Sequence, residues 1–182
     1  MINGVGTTGT NMGACATFLY NVRQGLYDIQ QGKAKVAIVG NAEAPVVAEL
    51  MEGFRVMGAL AQDEELMKMD GSDTPNNRRA CRPFSENCGF TMAESSQFII
   101  LMDDELALKM GANIYGSVAD VFINADGNKK SISAPGVGNY VTVAKATALA
   151  KAILGEEDLQ KTYVQAHGTG TPQNRVTESH IL

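Results

Sequence analysis

Two segments of the sequence carry side chains that could act as a nucleophile and its partner. The first is ACAT, in which Cys15 stands between small residues where a helix is predicted to begin. Backbone N–H groups at a helix start lack intrahelical partners, and with the helix dipole they favour a thiolate and can face an oxyanion. Cys15 is therefore a candidate nucleophile. The alternative is a small hydrophobic residue buried on the inner face of the helix.

The second segment is AHGTGTP, residues 166–172. His167 ends a predicted strand, and ligands of α/β sheets bind at the carboxyl ends of strands. Histidine serves as an acid, a base or a neutral hydrogen-bond donor, the glycines admit a ligand close to the backbone, and Thr169 and Thr171 offer hydroxyls. Taken alone, His167 could be a core histidine with satisfied hydrogen bonds. Together with Cys15 it indicates a nucleophile and its partner.

The elements that must position these residues follow from the apolar pattern. The predicted helices cover residues 14–31, 45–52, 104–111 and 137–154. The predicted strands cover residues 35–40, 96–103, 113–124 and 162–167. The polar stretch 61–87 is predicted to be a long loop. Helices that alternate with apolar strands predict a layered α/β fold.

Composition narrows the class of protein. The chain has 182 residues, a net charge of −5 and 45% hydrophobic residues, which suffices for a sizeable core. Scattered basic residues argue against a nucleic-acid partner, and no apolar run approaches the ~20 residues of a membrane span. Because no secretion signal opens the chain, we expect a cytoplasmic protein.

The cysteine count argues against a disulfide framework, since Cys15, Cys81 and Cys88 are odd in number and form no CxxC motif. A zinc site on Cys81 and Cys88 would need two further ligands, and only His167 and His180 are on offer. We therefore do not expect a metal site.

Four motifs together resemble those of the β-ketoacyl synthase family, which has a thiolase-like fold. They are ACAT, GKAKVAIVGNAEA (residues 32–44), RPFSENCGFTMAE (residues 82–94) and AHGTGTP. They occur in the family's order. The resemblance implies that residues 1–182 are the central part of a ketosynthase domain, an α/β fold that carries the end of its first half and the start of its second. Most of the N-terminal half and the C-terminal end would be lacking.

The resemblance implies a decarboxylative condensation. Cys15 would take an acyl group from acyl carrier protein, a malonyl-type extender would lose CO2, and the resulting enolate would attack the acyl group. His167 would hydrogen-bond the thioester oxygen of the extender. Thr169 and Thr171 match positions that contact the phosphopantetheine arm.

Further residues match less specific family positions. Glu178 matches a buried acid of the active-site network, and Phe90 and Glu94 match a segment that lines the cleft. For Phe90 and Glu94 the alternatives are packing and a structural hydrogen bond. No metal or organic cofactor is implied, because the pantetheine belongs to the carrier protein. The resemblance also implies a homodimer.

The sequence departs from the family in two ways. Asn174 and Arg175 stand where the family has Gly-Asp, which reverses the local charge, and PQNRVTESHIL is similar to synthases of polyunsaturated fatty acid or polyketide assembly lines. The family's second catalytic histidine, active-site lysine and glycine-rich loop have no counterpart, and the ESHIL context of His180 does not match that histidine. We therefore expect no full condensation by this chain alone.

Other classes of function remain open from the residues. A non-catalytic scaffold could be a partner like a chain-length factor, or an inert fragment that only associates. Retention of Cys15 argues against the chain-length factor, since such partners resemble synthases that have lost the nucleophile. A Cys/His hydrolase is chemically possible but lacks a matching motif around Cys15.

Overall fold

The structure is a computed structural model that describes residues 6–130 and 134–182. The chain divides into two compact units, one of residues 1–43 and 95–123 and the other of residues 44–94 and 124–182. The predicted α/β character is confirmed, since helices and a sheet make up the described elements.

The first unit is built from helix α1 (Thr17–Gln30), strand β1 (Val36–Glu43), strand β2 (Ser95–Met102) and helix α4 (Asp104–Lys109). β1 pairs antiparallel with β2, with Val36 opposite Met102 and Ile38 opposite Ile100. The helix near 104–111 and the strand near 96–103 therefore lie where the pattern predicts them. Strand β1 extends three residues beyond its predicted end.

Helix α1 packs against one face of this strand pair. Val22 and Gly25 of α1 are buried, as is Val39 of β1. A Cβ on Gly25 would lie 2.9 Å from Val39 Cγ1 and 3.1 Å from Ala37 Cβ, so the absence of a side chain lets helix and strand approach closely. The opposite face of the pair carries Ile38, and this side chain is 49% exposed. The prediction of a buried strand is therefore wrong for the outer face of β1.

Asp103 links the start of β1, the end of β2 and the start of α4. Its N–H donates to the Lys35 carbonyl at 3.0 Å, its carboxylate pairs with the Lys35 ammonium at 3.0 Å, and it caps α4 by accepting the Leu106 N–H at 3.2 Å. The hydrogen bond from Lys35, followed by the one from the Leu106 backbone, lowers the pKa of the Asp103 carboxyl.

The second unit contains helices α2 (Ala48–Val56), α3 (Asp63–Asp70), α5 (Val137–Leu159) and α6 (Pro172–Ile181). α2 begins three residues later and ends four residues later than predicted. The first helical run of α5 ends where predicted, because Gly155 (φ 82°, ψ 171°) interrupts the helix after Leu154.

Helix α3 corrects the prediction of a long loop over 61–87. Acidic residues occupy its first turn, where the helix dipole favours them, and Gly71 ends it in the left-handed conformation (φ 61°). Its single buried side chain, Leu66, is 1% exposed and anchors the helix to the unit.

The predicted strands over 113–124 and 162–167 are wrong. Both stretches are described and neither forms a strand. A strand requires a hydrogen-bonded neighbour, and within residues 6–130 and 134–182 neither stretch pairs with one. None of the helices in these ranges has the length and apolar character to cross a membrane.

Candidate active site

Cys15 lies in the first unit, in the 3₁₀ turn Ala14–Ala16 that leads into α1. The turn is closed by the Ala16 N–H, which donates to the Gly13 carbonyl at 2.9 Å. Cys15 is exposed, so its interpretation as a buried hydrophobic residue is wrong. The predicted helix start is shifted, because α1 itself begins at Thr17.

The backbone beside Cys15 adopts an uncommon conformation. Ala14 has φ 48°, in the left-handed region that residues with a Cβ rarely occupy. Such conformations persist only where the surroundings enforce them, and they concentrate at functional sites. The chain therefore bends sharply immediately before the exposed thiol.

The segment before Cys15 is fastened to the side of α1. The Gly13 N–H donates to Thr17 Oγ1 at 3.0 Å, and the Asn11 N–H donates to Asn21 Oδ1 at 3.0 Å. A Cβ on Gly13 would lie 2.7 Å from the Tyr20 ring, so the tyrosine can pack there only against a glycine. These contacts enforce the bend at Ala14.

His167 lies in the second unit and is exposed, so its interpretation as a core histidine is wrong. Its backbone N–H donates to Glu178 Oε1 at 2.5 Å, and the Gly168 N–H donates to Glu178 Oε2 at 2.7 Å. Gly168 has φ 63°, which glycine adopts without steric cost. Two successive amides therefore converge on one carboxylate and fix the backbone that carries the imidazole.

Glu178 is buried, with 8% of its surface exposed, as the resemblance implied, and its part in an active-site network stays a prediction. In addition to the two backbone amides, its carboxylate accepts Asn174 Nδ2 at 2.9 Å. A buried carboxylate is tolerated when donors surround it, and three donors do so here. Both Glu178 and Asn174 lie on α6, a helix that the apolar pattern did not predict.

Thr169 and Thr171 lie together, with their hydroxyl oxygens 3.2 Å apart. Thr171 is also the N-cap of α6, where its hydroxyl accepts the Asn174 N–H at 3.4 Å. Between them Gly170 is buried, and its carbonyl accepts the Gly89 N–H at 2.9 Å. The contact of the two threonines with a phosphopantetheine arm stays a prediction.

Phe90 makes a packing contact and Glu94 makes a structural hydrogen bond, which are the alternatives given above to a role in lining a cleft. The Phe90 ring meets Phe54 edge to face with centroids 5.3 Å apart, and its backbone N–H donates to the Ala59 carbonyl at 2.8 Å. Glu94 is exposed and accepts the Val46 N–H at 3.3 Å. A role for either residue in lining a cleft stays a prediction.

The loop of residues 82–87 is held from several sides. Arg82 Nη2 donates to Asp70 Oδ2 at 2.7 Å, Asn87 Nδ2 donates to the Arg82 carbonyl at 3.0 Å, and Arg175 Nη1 donates to the Ser85 carbonyl at 2.8 Å. The hydrogen bond from Arg82 lowers the pKa of the Asp70 carboxyl. No sequence pattern indicated these contacts.

The thiols of Cys15, Cys81 and Cys88 are free. Burial is the largest cause of the raised pKa of Cys88, which keeps this thiol protonated. Within residues 6–130 and 134–182, no group of three or more His, Cys, Asp or Glu side chains could hold a metal ion.

Two family models match the chain. The model of the β-ketoacyl synthase N-terminal domain matches residues 3–107, and that of the β-ketoacyl synthase C-terminal domain matches residues 115–182. The first match contains Cys15 and the second contains His167.

The curated relatives that the chain resembles are also synthases of this type. The chain is 60% identical over 183 aligned residues to the β-ketoacyl-[acyl-carrier-protein] synthase FabY of Pseudomonas aeruginosa, covering 100% of the chain and 29% of that relative. It is 31% identical over 175 residues to 3-oxoacyl-[acyl-carrier-protein] synthase 2 of Staphylococcus aureus, covering 95% of the chain and 40% of that relative. The chain thus spans well under half the length of either relative.

Solved structures of ketosynthases share the fold of this chain. The crystal structure of FabY from P. aeruginosa matches with a TM-score of 0.93 and 61% identity, over 97% of this chain and 28% of that one. A type II polyketide acyl carrier protein in complex with its ketosynthase matches with a TM-score of 0.70 and 27% identity, over 92% of this chain and 38% of that one. The predicted thiolase-like α/β fold, present as a partial segment, is confirmed.

Proposed function

The chain belongs to the β-ketoacyl synthase family, and we propose that it carries the Cys15 and His167 parts of a condensing active site. The chain spans 29% of the FabY relative, and residues 1–182 would be the central part of a ketosynthase domain. The reaction proposed is acyl transfer to Cys15 followed by decarboxylative condensation with a malonyl-type thioester.

The first step transfers an acyl group. Cys15 Sγ attacks the carbonyl carbon of the acyl thioester, the bond from that carbon to the carrier sulfur breaks, and the carrier leaves as a thiol with the proton that Cys15 gave up. The tetrahedral intermediate carries an oxyanion, which the backbone N–H of Cys15 would stabilise, since the Ala16 N–H is already donated to the Gly13 carbonyl.

The second step makes the new carbon–carbon bond. The extender loses CO2, and the electron pair of the broken bond forms an enolate whose oxygen accepts a hydrogen bond from the His167 imidazole. The enolate carbon attacks the acyl carbonyl, and the bond to Cys15 Sγ breaks. His167 would thus stabilise charge that develops only along the reaction path.

The observation that carries the proposal is the exposed thiol of Cys15 directly after Ala14 with φ 48°. A bend that costs roughly 1–2 kcal/mol in an alanine is not needed merely to begin a helix, because ordinary caps do so without strain. It is accounted for if the chain must present a nucleophile at the start of α1. The alternative, an inert scaffold, gives no reason for either feature.

The partners proposed follow from the relatives. The substrate is an acyl group on an acyl carrier protein, as the name of the FabY relative states for that protein, and Thr169 and Thr171 would receive the phosphopantetheine arm. The chemistry requires no metal or organic cofactor of its own. Family membership supports a fatty acid substrate and a homodimer, and it supports the polyunsaturated or polyketide variants less directly.

Intact-mass spectrometry tests the acyl-transfer step. The chain is incubated with an acyl-carrier thioester near neutral pH, beside Cys15→Ala and Cys81→Ala variants. We expect one acyl mass gain in the wild type and in Cys81→Ala, and none in Cys15→Ala. A gain that persists in Cys15→Ala would contradict the role of Cys15. Condensation product from this chain alone would contradict the expectation that the segments around it are needed.

A further inference from the structure

Asn174 and Arg175 replace the Gly-Asp that the family has at these positions, and each makes a contact that a glycine or an aspartate could not make. Asn174 Nδ2 donates to Glu178 Oε2 at 2.9 Å, and Arg175 Nη1 donates to the Ser85 carbonyl at 2.8 Å. A glycine has no side-chain donor, and an aspartate would present acceptors to a carbonyl. The replacement therefore introduces donors at two defined places.

The Asn174 contact bears directly on the histidine. Oε2 of Glu178 receives both the Asn174 side-chain amide and the Gly168 N–H, while Oε1 receives the His167 N–H. With one oxygen fixed by two donors, the carboxylate cannot rotate without breaking both hydrogen bonds. The orientation of the carboxylate in turn fixes the two peptide planes on either side of His167.

The Asn174 side chain is itself held in place by the helix. It lies in the first turn of α6, four residues before Glu178, a spacing that brings side chains together on one helix face. Its backbone N–H is received by the Thr171 cap at 3.4 Å. The side-chain amide of Asn174 is therefore positioned both by the hydrogen bond of its backbone to Thr171 and by its own hydrogen bond to Glu178.

We propose that Asn174 is a positioning residue that acts on His167 through the Glu178 carboxylate. The proposal deepens the function proposed above and rests on it for the role of His167. The contact of Arg175 with the loop of residues 82–87 is separate, because its acceptor is the Ser85 carbonyl and not Glu178. Arg175 therefore supplies a control in the same helical turn.

The test is nuclear magnetic resonance of the ¹⁵N-labelled chain, comparing Asn174→Asp with Arg175→Ala. Asn174→Asp keeps the shape of the side chain and replaces a donor by an acceptor, so a carboxylate would face the Glu178 carboxylate. We expect the His167 and Gly168 amide protons to move upfield and to exchange with solvent at least tenfold faster. Asn174→Ser, which keeps a donor, should restore part of the protection. Arg175→Ala should leave both amides unchanged.

Unchanged His167 and Gly168 amides in Asn174→Asp would overturn the proposal, as would equal effects in Asn174→Asp and Arg175→Ala. If Asn174→Asp fails to fold, Asn174→Ala replaces it, with a smaller increase in exchange expected at the same two amides. The amide signals do not depend on acylation of Cys15. Failure of the positioning role can therefore be told from failure of the proposed reaction.

Discussion

Glu178 holds the backbone of His167, since its Oε1 accepts the His167 N–H at 2.5 Å. The acid is buried and the histidine is exposed, so a fixed charge inside the second unit sets the conformation of a residue at its surface. Charge-assisted hydrogen bonds to backbone amides are stronger than neutral ones, which suits them to hold a short turn. The turn around His167 is therefore held by a buried carboxylate although the histidine itself is exposed.

Glu178→Gln tests this arrangement. Glutamine keeps the shape but presents an NH2 group where one carboxylate oxygen accepts a backbone N–H, so one buried amide loses its acceptor. We expect the free energy of unfolding to fall by about 1–3 kcal/mol, measured by urea titration. Glu94→Gln is the matched control, because Glu94 is exposed and accepts one N–H at 3.3 Å. Equal losses in the two variants would contradict the account.

Ala14→Gly tests the strain beside Cys15. Glycine adopts φ 48° without a clash, and this gain offsets the entropy that glycine loses on folding. We expect the free energy of unfolding to stay the same or rise by up to ~1 kcal/mol. Ala146→Gly, an exposed position inside α5, should instead lower it by roughly 0.5–1 kcal/mol. If both variants were destabilised equally, no strain would be stored at Ala14.

Gly170→Ala tests the close contact of two backbone segments. The two segments are joined by a hydrogen bond from the Gly89 N–H to the Gly170 carbonyl at 2.9 Å. A Cβ on residue 170 would lie only 2.6 Å from the Gly89 carbonyl oxygen. The clash should cost about 1–3 kcal/mol in unfolding free energy. In contrast, Gly53→Ala within α2 meets open space and should raise stability by roughly 0.5–1 kcal/mol. Thermal unfolding of both variants checks the opposite signs.

Asp70→Asn tests the ion pair that holds the 82–87 loop. The hydrogen bond from Arg82 lowers the pKa of Asp70 in the folded state, so the stability it supplies is complete above the ordinary carboxyl pKa of about 3.9. That stability is lost as the pH falls through the lower folded pKa. We therefore expect the wild type to be more stable than Asp70→Asn at pH 7, with a difference that shrinks as the pH falls below about 4. Urea titrations across this range would contradict the account if the difference stayed constant.

The residues proposed to carry the chemistry could be predicted from local sequence, because each motif is contiguous. Cys15 in ACAT and His167 in AHGTGTP needed only their neighbours to be recognised, and both are exposed. Helix α6 also had a local signal that was missed. Thr171 followed by Pro172 is typical of an N-cap and first helical position.

The rest depended on partners distant in the sequence. Residues 113–124 have a strand's composition, but composition does not supply the hydrogen-bonded neighbour that a strand needs. The contact of Arg175 with Ser85 spans 90 positions and leaves no local pattern. Helix α3 was not predicted because most of its residues are charged. Its one buried side chain, Leu66, is too little to give a helical apolar pattern.

Site-resolved acylation tests the central claim most directly. Cys15 and Cys81 are both exposed thiols of one chain, so each serves as the other's reference. After incubation with an acyl-carrier thioester near neutral pH, digestion and mass spectrometry would give the acylated fraction at each cysteine over time. The account predicts that acylation at Cys15 exceeds that at Cys81 by at least tenfold. Equal or slower acylation at Cys15 would contradict its role as the nucleophile.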